Sequence, residues 1–385
     1  MFKRLITKIR IGTSLFLKGG SYSDFFIQNT YKIYLNHNKI IHFRDGYPVF
    51  SLSTPALFSS ASANFVARNF YKTLTGRTNH NLMSLAVTEK CNANCGHCSF
   101  HTDDLKDKKN PLKKEEYTKI IKDAQENGVI VINLVGGEPL LNPDIFDIIK
   151  SVDKKLSTVI LFTNGYHLKD SAKKLKKAGL DGVYVSIDSA IPEKHNQFRK
   201  IDNLLDKAIE GIISAKKAGL TVGISCCMTP EAFREGELEK IVELAKEKGI
   251  HEVLVFGATP SGKYAQREDL MDSNAFNDEV IEFSKKYNER EDYPGILIYG
   301  YTSSYRSIGC SGGINYFYVS PFGEVCPCDF NHSVFGNTRE EPLHEILDKM
   351  KTTFKCCKCN GCRLKDKNLI NNEYISKNNF KNVKI

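Results

Sequence analysis

Cys91, Cys95 and Cys98 lie in the run Cys-Asn-Ala-Asn-Cys-Gly-His-Cys, directly after an apolar stretch at residues 83–88. Three thiols this close together can take three irons of a cubane cluster. Such a cluster is ordinarily completed by a fourth cysteine, so one iron would stay open for chemistry. Zinc is the alternative, because a C-x2-C pair is half of a zinc site; its fourth ligand would have to come from elsewhere. A second set of cysteines occupies residues 310–362. Between the two sets, Cys226 and Cys227 sit on an apolar run whose alternation turns one inward and one outward. Core packing is expected of both, with a radical-quenching thiol as the alternative.

A second motif follows the next apolar run, residues 129–135: Gly136-Gly137-Glu138-Pro139. Two glycines let a backbone approach a ligand closely. The carboxylate and exposed carbonyls can accept hydrogen bonds from an ammonium group. A plain turn between strand and helix would also explain the glycines, but the position one unit after the cysteine loop favours a paired role.

These loops need a scaffold. Apolar, β-branched runs recur at 83–88, 129–135, 158–163, 182–187, 221–227 and 252–257. Between them lie helical stretches such as Lys113–Asn127, Ser171–Ala178, Ile201–Ala218 and Glu237–Lys248. That alternation predicts a parallel sheet covered by helices. Six units fit a partial (β/α)6 TIM-like barrel, an α/β fold, over residues 83–264. Chemistry in such folds gathers at the carboxyl ends of the strands, where both motifs fall.

The flanks differ. Residues 265–309 are expected as a charged helical connection, and 310–365 as a small Cys-rich unit. Within it, Tyr316–Val319 and Glu324–Cys326 should form a hairpin around Ser320-Pro321-Phe322-Gly323. Residues 366–385, rich in Lys and Asn, read as a tail. The N-terminal α+β region, 1–82, has no assigned role. It opens with Lys3, Arg4, Lys8, Arg10 and Lys18 and no acid through residue 23. Phe2, Leu5, Ile6 and Ile9 share one helical face, which either docks on the main domain or touches a membrane surface. Strands are expected at Tyr31–Asn36 and Lys39–Phe43 around Asn36-His37-Asn38, then a helix over Ser60–Thr75.

Composition sets the bounds. The 385 residues are 41% hydrophobic and 26% charged, ordinary for a soluble globular protein. The net charge of +9, from 54 basic and 45 acidic residues, fits weak attraction to an anionic substrate, cofactor or membrane. No zinc-finger spacing or RNA-binding aromatic motif is present, so nucleic acid is not an expected partner. Twelve clustered cysteines in a large chain without a convincing signal peptide point to metal ligation in a reducing cytoplasm. No run of 18 apolar residues predicts a spanning helix.

The cysteine run and the Gly-Gly-Glu-Pro turn, in this order, resemble the radical S-adenosylmethionine (SAM) superfamily over roughly residues 83–260. The resemblance implies that Cys91, Cys95 and Cys98 ligate a 4Fe–4S cluster whose open iron is chelated by SAM. It places Gly136, Gly137 and Glu138 at the methionine end of SAM and His97 near the adenine. Asn164, in Thr163-Asn164-Gly165, joins the cofactor set. Ser186 and Asp188 are candidates for the ribose, with helix capping as the alternative. Arg199 is the candidate for the SAM carboxylate, with a surface ion pair as the alternative.

The second cysteine set resembles the SPASM and shortened twitch extensions of that superfamily. Cys310 is followed by twelve residues, Gly323, four residues and Cys328; Cys359 and Cys362 form a later C-x2-C. The resemblance implies one auxiliary 4Fe–4S cluster on Cys310, Cys328, Cys359 and Cys362. A two-cluster form would draw on Cys326, Cys356 and Cys357, and a four-cysteine zinc site is the alternative. The implied activity is one-electron cleavage of SAM to methionine and a 5′-deoxyadenosyl radical, with electrons from a donor such as flavodoxin or ferredoxin. That radical removes hydrogen from a substrate, expected to be a peptide; a lipid, sugar, tetrapyrrole or other cofactor precursor is the alternative. No catalytic side chain is assigned. A non-enzymatic iron–sulfur or zinc protein is the rival class, and the Gly-Gly-Glu-Pro turn speaks against it.

Overall fold

The computed structural model describes residues 31–75, 80–100, 110–270, 274–354 and 361–365. The proposed amphipathic helix at the N-terminus, Cys356, Cys357 and Cys359, and the C-terminal tail lie outside the described residues.

The six expected strands form in order: β3 (Leu82–Ala86), β4 (Val131–Val135), β5 (Thr158–Thr163), β6 (Gly182–Ser186), β7 (Thr221–Met228) and β8 (Glu252–Gly257). Each pairs in parallel with the next. Their near-continuous burial matches strands packed on both faces. One core gathers Leu85, Leu134, Leu161, Val183, Ile224 and Val253 with apolar helix residues such as Ile121, Leu175 and Ile241.

The expected helical connection holds more than helix. It contains a helix over Asn274–Asn288 but also a seventh parallel strand, β9 (Gly295–Ile298), paired with β8. Gly-Ile-Leu-Ile is too short to stand out beside Tyr293-Pro294 and Tyr299-Gly300. A side chain on Gly295 would collide with Ile41, so the strand fits only where the N-terminal segment presses on it.

The Cys-rich hairpin is part of the same sheet. β10 (Tyr316–Val319) and β11 (Glu324–Cys326) pair as expected, but β10 also lies parallel to β3, with Tyr316 opposite Leu82. β12 (Gly336–Asn337) completes ten strands in the order β12-β11-β10-β3-β4-β5-β6-β7-β8-β9. The end strands β12 and β9 do not pair with each other, so the barrel stays open.

The N-terminal hairpin sits later in the sequence than expected. Residues 31–35 are helical, and the strands are β1 (His42–Arg44) and β2 (Tyr47–Val49). Asp45 (φ 51°) and Gly46 (φ 87°) make the turn, and two positive φ values suit a two-residue hairpin loop. The helix over Ser60–Thr75, α1 here, is present. This segment packs beneath the barrel: Leu35, Phe50 and Leu52 cluster with Ile160, Tyr184, Leu254 and Leu297. Buried Glu252 accepts from the Leu52 amide at 2.9 Å and from the Tyr184 hydroxyl. Burial pushes Glu252 up to about 7.

Candidate active site

The glycine turn and the cysteine loop are built as one unit. The Gly137 amide donates to the Thr88 carbonyl at 2.8 Å, and the Glu138 amide to Lys90 at 2.7 Å. A side chain on Gly136 (φ +143°) would lie 2.5 Å from the Thr88 carbonyl, and one on Gly137 2.1 Å from that of Lys90. Only glycine permits this approach. The turn therefore clamps the strand that leads into Cys91.

Glu138 is 1% exposed. Its carboxylate accepts from the Thr163 hydroxyl at 2.6 Å, the Asn164 amide at 2.8 Å and the Leu140 amide at 3.1 Å. It ties β4 to the end of β5 and is not a free acceptor for an ammonium group. Asn164 in turn donates from its side chain to Asn92, inside the cysteine loop, at 2.7 Å.

A helix over Pro192–Arg199, α2 here, supports the loop from another side. The Phe198 and Arg199 carbonyls accept from the Gly96 and Asn94 amides. His97 stacks on Phe198 with ring centroids 4.9 Å apart. Arg199 is 7% exposed. Its Nε and Nη2 bind Asp188 at 2.9 and 2.7 Å, and its Nη1 points at Cys95 Sγ at 3.7 Å. The Cys227 amide donates to the other Asp188 oxygen at 3.0 Å, and His97 Nε2 lies 3.9 Å from it. Burial alone would raise Asp188, but Arg199, His97 and the Cys227 amide outweigh it and hold the carboxyl at about 2. Arg199 and Asp188 thus engage each other, and both line the cavity in which the resemblance places SAM.

Two residues of the loop after β8, which the sequence reads as a simple loop with substrate contact as the alternative, complete the clamp. Lys263 donates from its ammonium to the Asn94 side chain and to the Cys95 carbonyl at 2.9 Å. Its own amide bonds the Cys98 carbonyl at 3.1 Å. Gly262 (φ +55°) has no room for a side chain beside that same carbonyl. Lys263 follows β8, as strand-end residues in such folds do, but no local pattern marks it as reaching back across the barrel.

Cys91, Cys95 and Cys98 border one cavity, and each thiol's charge would bear on its neighbours. Desolvation pushes Cys91 up to about 11, although part of the residue meets solvent, and raises Cys95 too. Partly desolvated thiolates are favoured by positive charge beside them, which cluster irons would supply. The donor set and the close backbone cradle therefore fit a thiolate-held cluster. Among the described residues, no group of three or more ligating side chains converges on a single metal ion.

The second group is assembled across the fold. The Gly313 amide donates to the Tyr316 and Pro327 carbonyls, which draws Cys310 toward Cys328. Burial, then Cys310 and Cys328, raise Cys362, so the three thiols neighbour one another. Tyr299 lies in the field of all three. Cys326 is buried with Ala86, Val135 and Tyr318. Cys226 packs in the core at 1% exposure, and both it and Cys227 border the cavity.

The cavity, about 900 Å³, runs from the cysteine loop through the barrel to Tyr299 and Asp329 beside the second group. Ser186 lines it and lies 3.3 Å from the Ser225 hydroxyl. The Ser84 hydroxyl, the Tyr316 phenol and Asp329 are joined by hydrogen bonds within its wall. Asp329 Oδ1 has no partner there.

A model of the radical SAM superfamily matches residues 85–235, and a model of the SPASM iron–sulfur cluster-binding domain matches residues 310–368. The chain belongs to the radical SAM superfamily. It is a radical SAM enzyme, with SAM and 4Fe–4S as cofactors and a C-terminal SPASM iron–sulfur domain. This radical SAM enzyme is 29% identical over 291 residues to an AdoMet-dependent heme synthase of Methanosarcina barkeri, covering 69% of this chain and 82% of that one. It is 35% identical over 169 residues to a GTP 3′,8-cyclase of Nautilia profundicola, covering 43% of this chain and about half, 52%, of the relative. Among solved structures, Streptococcus suis SuiB bound to precursor peptide SuiA superposes with a TM-score of 0.61. The identity is 15%, and 79% of this chain and 76% of SuiB are covered. That likeness is one of fold.

Proposed function

We propose that Cys91, Cys95 and Cys98 hold the SAM-binding 4Fe–4S cluster, and that the enzyme removes hydrogen from an uncharged, largely apolar part of its substrate. The observation that carries this reading is the continuous cavity linking the cysteine loop to the second cysteine group. A space of about 900 Å³ is near the upper end of typical ligand sites, room enough for SAM and a second molecule. When bound, SAM and its cluster supply a 5′-deoxyadenosyl radical, and the cluster on Cys310, Cys328, Cys362 and Cys359 supplies an electron relay.

The chain supplies the setting. The Gly136–Gly137 edge presents backbone to the amino acid end of SAM, with Glu138 fixing that edge rather than binding. The Asp188–Arg199 pair keeps compensated charge beside Cys95, and His97 gives a ring face to the adenine. Aromatic walls that include Phe162, Phe256 and Phe330 exclude water from the reacting carbon. Asp329, a cavity-wall residue beside the second cysteine group, is the carboxylate we assign to receive a proton released by the substrate.

A peptide is the substrate class expected from the sequence; one that presents an apolar side chain suits such walls, and the shared fold with SuiB lends support. A tetrapyrrole is the second reading, favoured by 29% identity to the heme synthase. The deciding experiment is anaerobic incubation with SAM and dithionite. The wild-type enzyme should form 5′-deoxyadenosine and Cys95→Ala none; equal amounts from both would sink the assignment.

A further inference from the structure

The thiols of the cysteine loop do not have equivalent surroundings. The Cys91 sulfur takes a neutral donor, the Ala93 amide at 3.4 Å. The Cys95 sulfur meets a full charge, Arg199 Nη1 at 3.7 Å. Among the described residues, no other cationic side chain bonds a sulfur of this loop. The guanidinium is held in that orientation. Its Nε and Nη2 share one Asp188 oxygen at 2.9 and 2.7 Å, which leaves Nη1 for the sulfur. Asp188 is fixed in turn by the Cys227 amide, which donates to its other oxygen at 3.0 Å. The Arg199 carbonyl grips the loop a second time, accepting from the Asn94 amide at 3.1 Å. Both charged side chains are buried, so water and salt screen them little.

We infer that Arg199 and Asp188 set the reduction potential of the 4Fe–4S cluster on this loop, Arg199 raising it and Asp188 limiting the rise. Both act through Cys95 and are positioning residues. The inference rests on the reading that Cys95 ligates the SAM-binding cluster, and it adds how readily that cluster accepts its electron. Reduction by a low-potential one-electron donor adds one negative charge to the cluster and its thiolates. A cation bonded to a ligand sulfur favours that more negative state; net charge, hydrogen bonds to sulfur and burial are what set such potentials. A carboxylate in the same buried place acts with the opposite sign. Arg199 touches the sulfur, whereas Asp188 sits on the Nε–Nη2 edge of the guanidinium, so Arg199 is the stronger of the two. An ion pair that only fastened α2 to the end of β6 would have no such division of sign: removing either partner would loosen the same tie.

The test is an anaerobic dithionite titration of the full-length, cluster-loaded enzyme, followed by electron paramagnetic resonance. SAM is left out, so that no contact between Arg199 and SAM enters the result. The signal of the loop's cluster is the one that Cys95→Ala loses, and the second cluster serves as internal control. Arg199→Gln should make reduction about tenfold or more less favourable, a fall of about 59 mV or more for one electron. Asp188→Asn should make it about threefold or more easier, a shift of opposite sign. Arg199→Lys, which keeps the charge, should lie between Arg199→Gln and wild type. The double variant Arg199→Gln/Asp188→Asn should lie between the two single variants. The second cluster should keep its potential throughout. Shifts of the same sign in the two single variants, no shift in Arg199→Gln, or an equal shift of the second cluster would overturn the inference. With a signal that depends on Cys95, such a result sinks the tuning and leaves the cluster assignment standing. A signal that survives Cys95→Ala sinks the assignment and the tuning together.

Discussion

The two cysteine groups of this molecule are made in opposite ways. The first occupies eight consecutive residues, 91–98, on one loop. Its clamps come from elsewhere: the glycine turn, the end of α2 and Lys263. The second draws Cys310, Cys328 and Cys362 from three separated segments, and a hairpin paired to the barrel's own first strand brings them together. A local ligand set can exist before the fold is complete, but its shape depends on tertiary clamps. A dispersed set does not exist at all until the sheet forms.

The sharpest way to break this comparison is to remove one thiol from each group. Cys91→Ala should lower 5′-deoxyadenosine formation at least about a thousandfold, roughly 4 kcal/mol of barrier, while iron on the second group remains. Cys328→Ala should leave SAM cleavage within about threefold and abolish the final product. If Cys328→Ala also stops SAM cleavage, the two groups are not independent.

Glycine substitutions sharpen the same contrast. Gly137→Ala drives a methyl into the Lys90 carbonyl and should cost about 3 kcal/mol or more, seen as a fall in melting temperature and in iron retained. Gly312→Ala beside the second group meets nothing closer than 3.5 Å, at Cys328 and the Pro327 carbonyl. It should change stability by less than about 0.5 kcal/mol.

A smaller effect is expected at Lys263. Lys263→Met removes two hydrogen bonds to the cysteine loop, worth about 1–3 kcal/mol together because the donor is charged. Iron should then leave the first group faster under a chelator, with the second group unchanged. Equal acceleration at both groups would show that Lys263 acts on the fold as a whole.

The smallest effect lies far from either group. Glu252 is raised by burial from 4.5 to about 7, so the unfolded chain loses this proton first. The stability tied to the protonated form is fully present below about pH 4.5 and drains away as pH rises through about 7. Glu252→Gln should therefore flatten the decline in melting temperature across that window. A decline as steep as that of wild type would remove Glu252 as its cause.

Much of this was legible residue by residue. The six central strands, α1 and the 316–326 hairpin follow from apolar runs and turn residues, because their signals are local. β9 escaped because four apolar residues say little without the neighbouring strand that captures them. The N-terminal hairpin was misplaced because Asn36-His37-Asn38 resembled a turn, while Asp45-Gly46 supplied the two positive φ values a tight loop needs. In the site, the cysteines and glycines were visible by type and spacing. The inward bonding of Glu138, the pairing of Asp188 with Arg199 and the reach of Lys263 were not, since each joins residues from different units of the barrel.

By itself, the amino-acid order determined the chemistry the chain can host: sulfur donors at ligand spacing, a turn that only glycine can make, and a βα rhythm that sets both at one end of a sheet. Tertiary structure decided which charged side chains pair with each other at the cavity wall, how a distant hairpin joins the barrel, and where the interior stays hollow. The reason is physical. Turn geometry and strand periodicity act over a few residues, whereas charge compensation and cavity shape depend on groups that meet only after the chain has closed on itself.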